Sequence, residues 1–132
     1  MTEDQLQKQV ADYLKIALPD GSLFHHSPNE GKKHINFQMK LKSFGMQTGF
    51  PDIVIFAPET KAIFIELKRQ KPKGRLTHHQ KLMKEIIENL KLYYKVCYNL
   101  YDVYDFLSKI ITLRGGSRFV ELSLSHQSWR GR

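Results

Sequence analysis

Two apolar runs on either side of a short turn constrain this chain more than any other feature. Ile53-Val54-Ile55-Phe56 and Ala62-Ile63-Phe64-Ile65-Glu66-Leu67-Lys68 flank the turn Pro58-Glu59-Thr60-Lys61. β-Branched and aromatic runs of this length, bounded by turn residues, form strands, and this spacing predicts a hairpin. The first run holds no polar residue and is expected to be buried on both faces. Alternation along the second puts Phe64, Glu66 and Lys68 on one face, and Ile63, Ile65 and Leu67 on the other. Asp52 stands just before the first strand, where Pro51 biases Phe50 towards an extended backbone. In an antiparallel hairpin the start of one strand lies beside the end of the next, so Asp52 and Glu66 are expected to converge.

The flanks supply the helices. Leu6, Val10, Tyr13, Leu14 and Ala17 keep helical spacing over residues 3 to 17, with Thr2 and Gln5 as a capping box. Pro19-Asp20-Gly21-Ser22 ends that helix, and Leu23 to His26 reads as a short strand. Ser27-Pro28-Asn29-Glu30-Gly31 is a turn-rich loop, and the basic stretch 32–42 carries no clear pattern. Thr77 starts the clearest helix, with Leu82, Met83, Ile86, Ile87 and Leu90 on one stripe. Lys95 to Tyr98 reads as a buried strand, and Phe119 to Leu124 as a further one. Between them Val103, Phe106, Leu107, Ile110 and Ile111 mark a last helix that ends before Gly115-Gly116. The order predicts an α/β fold: a small mixed sheet flanked by helices. With 132 residues the chain suits one domain, here a core over about 3–112 and a basic tail over 113–132.

Charge narrows the partner. Twenty-one Lys and Arg against thirteen Asp and Glu give a formal charge of +8, which favours a polyanion. Lys61, Lys68, Arg69, Lys71, Lys73 and Arg75 cluster, as do Lys32, Lys33, Lys40 and Lys42, and Arg114, Arg118, Arg130 and Arg132 enrich the tail. Taken singly each is an ordinary solvated cation; together they predict nucleic-acid binding. No apolar run is long enough to span a bilayer, and no segment joins a basic face to a large apolar one, so membrane association is not expected. The N-terminus is not a signal peptide, and one cysteine, Cys97, allows no internal disulfide. A reducing cytoplasm is the natural compartment, the host's if the gene is viral.

Two converging carboxylates make a hard oxygen site of the kind Mg²⁺ or Mn²⁺ prefers, with water and phosphate completing the octahedron. Such a cation acidifies water and offsets phosphate charge, while Lys68 can orient that water or take its proton. The plain alternative for Glu66 and Lys68 is a surface salt bridge. Glu3 falls on the inward arc of the first helix, where a carboxylate is costly unless paired or bound to metal; in a solvated first turn it would simply favour the helix dipole. Glu30 is a weaker contender for the same role. The pairs His25-His26 and His78-His79 lack the spacing of a structural zinc site and are read as contacts to phosphate or solvent. Trp129 either packs or stacks on a base.

Gly49-Phe50-Pro51-Asp52 followed by Glu66-Leu67-Lys68 resembles the PD-(D/E)XK nuclease superfamily, with its restriction-endonuclease-like core. Within it the chain is similar to the virus-type replication-repair nuclease (VRR-NUC) family. Asn29-Glu30-Gly31, the Pro-Asp and Glu-x-Lys strands and Gln80 in the following helix all fit that pattern, over residues 3 to 107. The resemblance implies metal binding by Asp52 and Glu66, in part through the backbone carbonyl of Leu67, with Glu3 near the metal. It implies a catalytic role for Lys68 and for Gln80, although Thr77-His78-His79-Gln80 is itself a capping box in which Gln80 only caps. Contacts to DNA are expected from Lys32, Lys33, Arg69, Lys71, Lys73 and Arg75. The expected function is metal-dependent cleavage of branched DNA. Stand-alone relatives act as dimeric junction resolvases, and this chain shows no accessory domain. The alternatives are a monomeric flap nuclease or nickase, and a non-catalytic DNA-binding module. The aromatic stretch Tyr93-Tyr94 to Tyr104 and the tail are candidates for a dimer interface.

Overall fold

In chain order the elements are α1 (Glu3–Ala17), β1 (Leu23–His26), α2 (Ile35–Ser43), β2 (Ile53–Phe56), β3 (Ile63–Leu67), α3 (His78–Asn89), β4 (Tyr93–Cys97) and α4 (Leu100–Ser108). They are taken from a computed structural model that describes residues 1–27 and 35–115. The Asn29-Glu30-Gly31 loop, Lys32, Lys33, the expected strand at 119–124 and Trp129 lie outside the described residues.

The hairpin is the centre of the sheet. β2 and β3 pair antiparallel with Ile53 opposite Ile65, Val54 opposite Phe64 and Ile55 opposite Ile63. β1 adds to β2 antiparallel, and β4 to β3 in parallel through the α3 crossover, giving a mixed sheet of order β1-β2-β3-β4. The expected α/β architecture is therefore present.

Alternation sorts the sheet's side chains into two layers. Ile53, Ile55, Ile63, Ile65 and Leu67 face α1 and α4, where Leu6, Val10, Tyr13, Leu14, Ala17, Leu100, Val103 and Leu107 close over them. Val54 and Phe64 face α3 and pack with Ile87, Met83 and Tyr94. All five residues of β3 are buried, as a central strand between two helical layers requires. Both expected capping boxes form: Thr2 with Gln5 on α1, and Thr77 with Gln80 on α3.

Three boundaries differ from the sequence reading. The last strand starts at Tyr93 rather than Lys95 and is an edge strand, with only Cys97 buried. It stops there because the Tyr98 amide leaves the ladder and donates to Asp102 Oδ2 at 2.9 Å. The last helix ends at Ser108, and the amides of Ile110 and Ile111 both turn back to the Leu107 carbonyl at 2.9 Å. The basic stretch that had no clear pattern holds α2. Cys97 is fully buried, and burial pushes its thiol up to about 12, so it is not reactive.

Candidate metal and phosphodiester site

The segment Gly49-Phe50-Pro51-Asp52 is held at each residue by a different contact. Gly49 has φ +81°, and a Cβ there would lie 2.6 Å from the backbone of His79 and 2.8 Å from the amide nitrogen of Gln80. Only glycine lets the loop lie this close to the first turn of α3. Phe50 packs edge-on against Phe64, ring centroids 5.7 Å apart. Pro51 is buried, and lacking an N–H it leaves no donor unmet there. Asp52 then enters the sheet. One step beyond the Ile53–Ile65 pair, the same register sets it opposite Glu66.

The Asp52 carboxylate reaches further, and its Oδ2 accepts from the Leu67 amide at 2.7 Å. Glu66 lies on the α3 face of β3 and is only 2% exposed, with Lys68 at 8%. A surface salt bridge is therefore the wrong description of this pair. Glu66 Oε1 accepts from the Gln80 side-chain amide nitrogen at 3.0 Å. The oxygen of that same amide accepts from the Thr77 backbone at 2.9 Å. The two readings of Gln80, cap and site residue, are thus not alternatives, since one amide makes both contacts.

Glu66 Oε2 is buried and has no hydrogen-bond donor. An anion in that position is strongly unfavourable. Burial, and then the charge of Asp52 beside it, push Glu66 up to about 9. Asp52 is also raised, by burial, against the lowering effect of the Leu67 amide and of Lys68. Two such carboxyls share a proton or share a cation. The orphaned Oε2 and the all-oxygen donors fit a hard divalent cation. Among the described residues no three His, Cys, Asp or Glu side chains are grouped to hold a metal ion. This pair and backbone oxygen are the nearest donors, with Glu3 across the cleft behind them.

Behind the pair, on the α1 side, a small cleft is lined by Glu3, Asp4, Gln7, His26, Asp52 and Leu67. Glu3 is half-buried there, in the first turn of α1, and its charge raises Asp52. Sequence reasoning placed Glu3 on the inward arc but missed His26. A ring nitrogen of His26, Nδ1, lies 3.1 Å from the Asp52 carbonyl oxygen, which also accepts from Ser27 N–H at 2.8 Å. Nδ1 carries the proton in that contact, since a carbonyl only accepts. The register that pairs His26 with Ile53 sets it beside Asp52, and that long-range pairing carries no local signal.

Lys68 is fixed from the other side. Its amide donates to the Cys97 carbonyl at 3.0 Å. Its stem runs against Gly74, where an added Cβ would come within 3.3 Å of Lys68 Cβ. Gly74 belongs to the loop that carries Arg69, Lys71, Lys73 and Arg75, all exposed. The expected basic cluster therefore adjoins Lys68 in space as well as in sequence.

Gly49→Ala tests the loop's part in this assembly. The new methyl must push α3's first turn away, and a cost of about 1–3 kcal/mol is expected. Thermal denaturation reads that cost. Faster hydrogen exchange at the Gln80 and Lys81 amides, which bond to Thr77, would locate the strain. Wild-type exchange at both amides would mean that the contact carries no constraint.

No curated protein matches the sequence significantly. A solved structure described as a VRR_NUC domain protein superimposes with a TM-score of 0.67 at 23% identity, covering 84% of this chain and 88% of that one. At that identity the likeness speaks for the fold. The model of the VRR-NUC domain matches residues 2–99, the stretch that carries Glu3, Asp52, Glu66, Lys68 and Gln80. The chain belongs to the VRR-NUC family of nuclease domains.

Proposed function

We propose that the protein is a metal-dependent endonuclease that hydrolyses phosphodiester bonds in branched DNA, and that it works as a homodimer on four-way junctions. The observation that carries the catalytic part is the buried, donorless Oε2 of Glu66 beside Asp52. When bound, Mg²⁺ or Mn²⁺ supplies positive charge opposite the scissile phosphate and makes water acidic enough to attack. Asp52, Glu66, the Leu67 carbonyl and Glu3 would hold that cation. Lys68 orients the attacking water and holds a proton at Nζ. Gln80 keeps one oxygen of Glu66 turned away, so that the other points to the cation. Lys32, Lys33, Arg69, Lys71, Lys73 and Arg75 bind the flanking phosphates.

The dimer follows from the chemistry of the substrate. Resolving a junction takes two symmetric cuts, and the described residues of one chain carry one such carboxylate pair. A two-fold pair of identical subunits supplies both. The rival reading is a monomer that cuts flaps or nicks duplexes. Cleavage of matched junction, flap and linear duplexes in Mg²⁺, Mn²⁺ and EDTA, beside light scattering at micromolar protein, decides between them. A strict monomer that cuts flaps and spares junctions ends the dimeric reading and leaves the metal site standing. No cleavage in any metal ends the enzymatic one.

The basic loop has its own signature. Each phosphate neutralised lowers log affinity by about 0.9 per unit of log salt on duplex DNA. Neutralising Lys71, Lys73 and Arg75 together is expected to flatten the salt slope by about 2–3. An unchanged slope would make these residues mere solubilising charge.

A further inference from the structure

Tyr98 and Asn99, just before α4, take no part in the carboxylate site, yet the loop that follows Lys68 is fastened to them. That loop is closed on itself: Arg69 Nε donates to the Pro72 carbonyl at 3.0 Å, and Gly74 N–H to the Arg69 carbonyl at 2.8 Å. It is also tied outward. Asn99, the N-cap of α4, donates through Nδ2 to Gln70 Oε1 at 3.4 Å. The Lys73 ammonium stands 4.8 Å from the centroid of the Tyr98 ring, close enough for a cation–π contact. In the first turn of α4, Tyr101 stacks on Tyr104 with planes 5° apart and centroids 6.1 Å apart. Tyr104 packs against the core, while Tyr101 is 52% exposed.

The loop meets the chain at Tyr98 and Asn99, Tyr101 follows two positions later, and the two differ in what they can grip. The loop offers four exposed cations, and no acidic residue occurs between positions 69 and 84. Asp102 of α4 is turned to the Tyr98 amide rather than to the loop. Cations of this kind suit a phosphate backbone, paired or unpaired. An exposed ring backed by a second ring suits something else, the flat face of a base. In a duplex those faces are hidden in the stack. An exposed ring two positions beyond Asn99, where the cationic loop is tied to the start of α4, therefore suits a strand whose bases are free.

We propose that the loop 69–75 and the first turn of α4 form a binding surface for an unpaired DNA strand running away from the cleavage site. Tyr101 stacks on a base of that strand; Arg69, Lys71, Lys73 and Arg75 hold its phosphates; Tyr98 positions Lys73. The surface rests on the nuclease reading for the location of the scissile phosphate, and it bears on the flap reading, since a flap and not a fully paired four-way junction carries an unpaired strand. It concerns binding alone, so it is measured without cleavage.

The test is fluorescence anisotropy in EDTA with the full chain. It compares a blunt duplex with the same duplex carrying a single-stranded tail that holds 2-aminopurine. Tyr101→Ala is expected to weaken the tailed DNA by at least about fivefold and to leave the blunt duplex unchanged. It should also abolish the stacking-induced fluorescence change of 2-aminopurine. Tyr101→Phe keeps both, because the ring and not the hydroxyl acts. The salt slope stays at its wild-type value in Tyr101→Ala and falls by about 0.7–0.9 in Lys73→Ala. Equal weakening of both DNAs, unchanged affinity for the tail, or a change of oligomeric state in Tyr101→Ala would each overturn the proposal, the last by assigning Tyr101 to a subunit interface. Tyr101-dependent tail binding by a protein that cleaves nothing would keep this surface and remove the enzymatic reading.

Discussion

Asp52→Ala and Glu66→Ala are each expected to reduce cleavage in Mg²⁺ by at least about 10³-fold, since the cation that offsets phosphate charge and acidifies water loses a ligand. Fold and DNA binding should survive both changes. Lys68→Ala should lose most of the rate, about 10²–10⁴-fold, and still bind the cation, because its task is at the water and its proton. Single-turnover cleavage gives the rates. Calorimetric titration of Mn²⁺ into the metal-free protein gives the binding. Full activity of either carboxylate variant would dissolve the site assignment. Loss of Mn²⁺ binding in Lys68→Ala would make that lysine a structural counter-charge.

The second large effect is on stability and runs against the usual rule that an active-site substitution is neutral or harmful. Without metal, Glu66 holds a proton up to about pH 9 in the folded chain, against an ordinary value of 4.5. Between those limits the folded state binds more protons than the unfolded one, so stability is greatest at the acid end and falls as pH rises. The slope for one such group is at most ~1.4 kcal/mol per pH unit. Melting in EDTA should therefore drop steadily from pH 5 to pH 9. Asp52, raised as well, acts in the same direction. Glu66→Gln removes the titrating group and keeps an acceptor for Gln80. At pH 8 it should raise the melting temperature of the metal-free protein by about 5–10 °C, as a gain of ~2 kcal/mol does for a domain of this size. Millimolar Mg²⁺ should stabilise the wild type more at pH 8 than at pH 6, and the variant hardly at all. A pH-independent melt would show that the pair is not strained by its own charge.

Much of this was legible in the sequence, for reasons that can be named. The hairpin and its alternation are local, and they decide by themselves that Glu66 and Lys68 share a face and that Asp52 comes beside Glu66. The helix caps are local too. Less legible was whatever depends on contacts between distant segments. Gly49 entered only as the first residue of the Gly49-Phe50-Pro51-Asp52 motif, because nothing nearby in sequence shows that the backbone of His79 will lie against it. His26 read as half of an adjacent pair, and only the pairing of β1 with β2 brings its ring to the Asp52 carbonyl. The start of β4 was misplaced because an edge strand buries little and its pattern is weak. α2 was missed because its apolar residues keep no sharp period among the lysines.

The double duty of Gln80 restricts what evolution can do at that position. A capping box admits Glu as readily as Gln, since the helix start asks only for an oxygen acceptor. Here the other end of the group faces a buried carboxylate at 3.0 Å, and only an amide offers an acceptor at one end and a donor at the other. A single-letter drift from Gln to Glu would leave α3 as well capped as before and set a third negative charge against Glu66. The helix would tolerate the exchange and the site would not, so tolerance at position 80 reports on the carboxylate pair rather than on the fold.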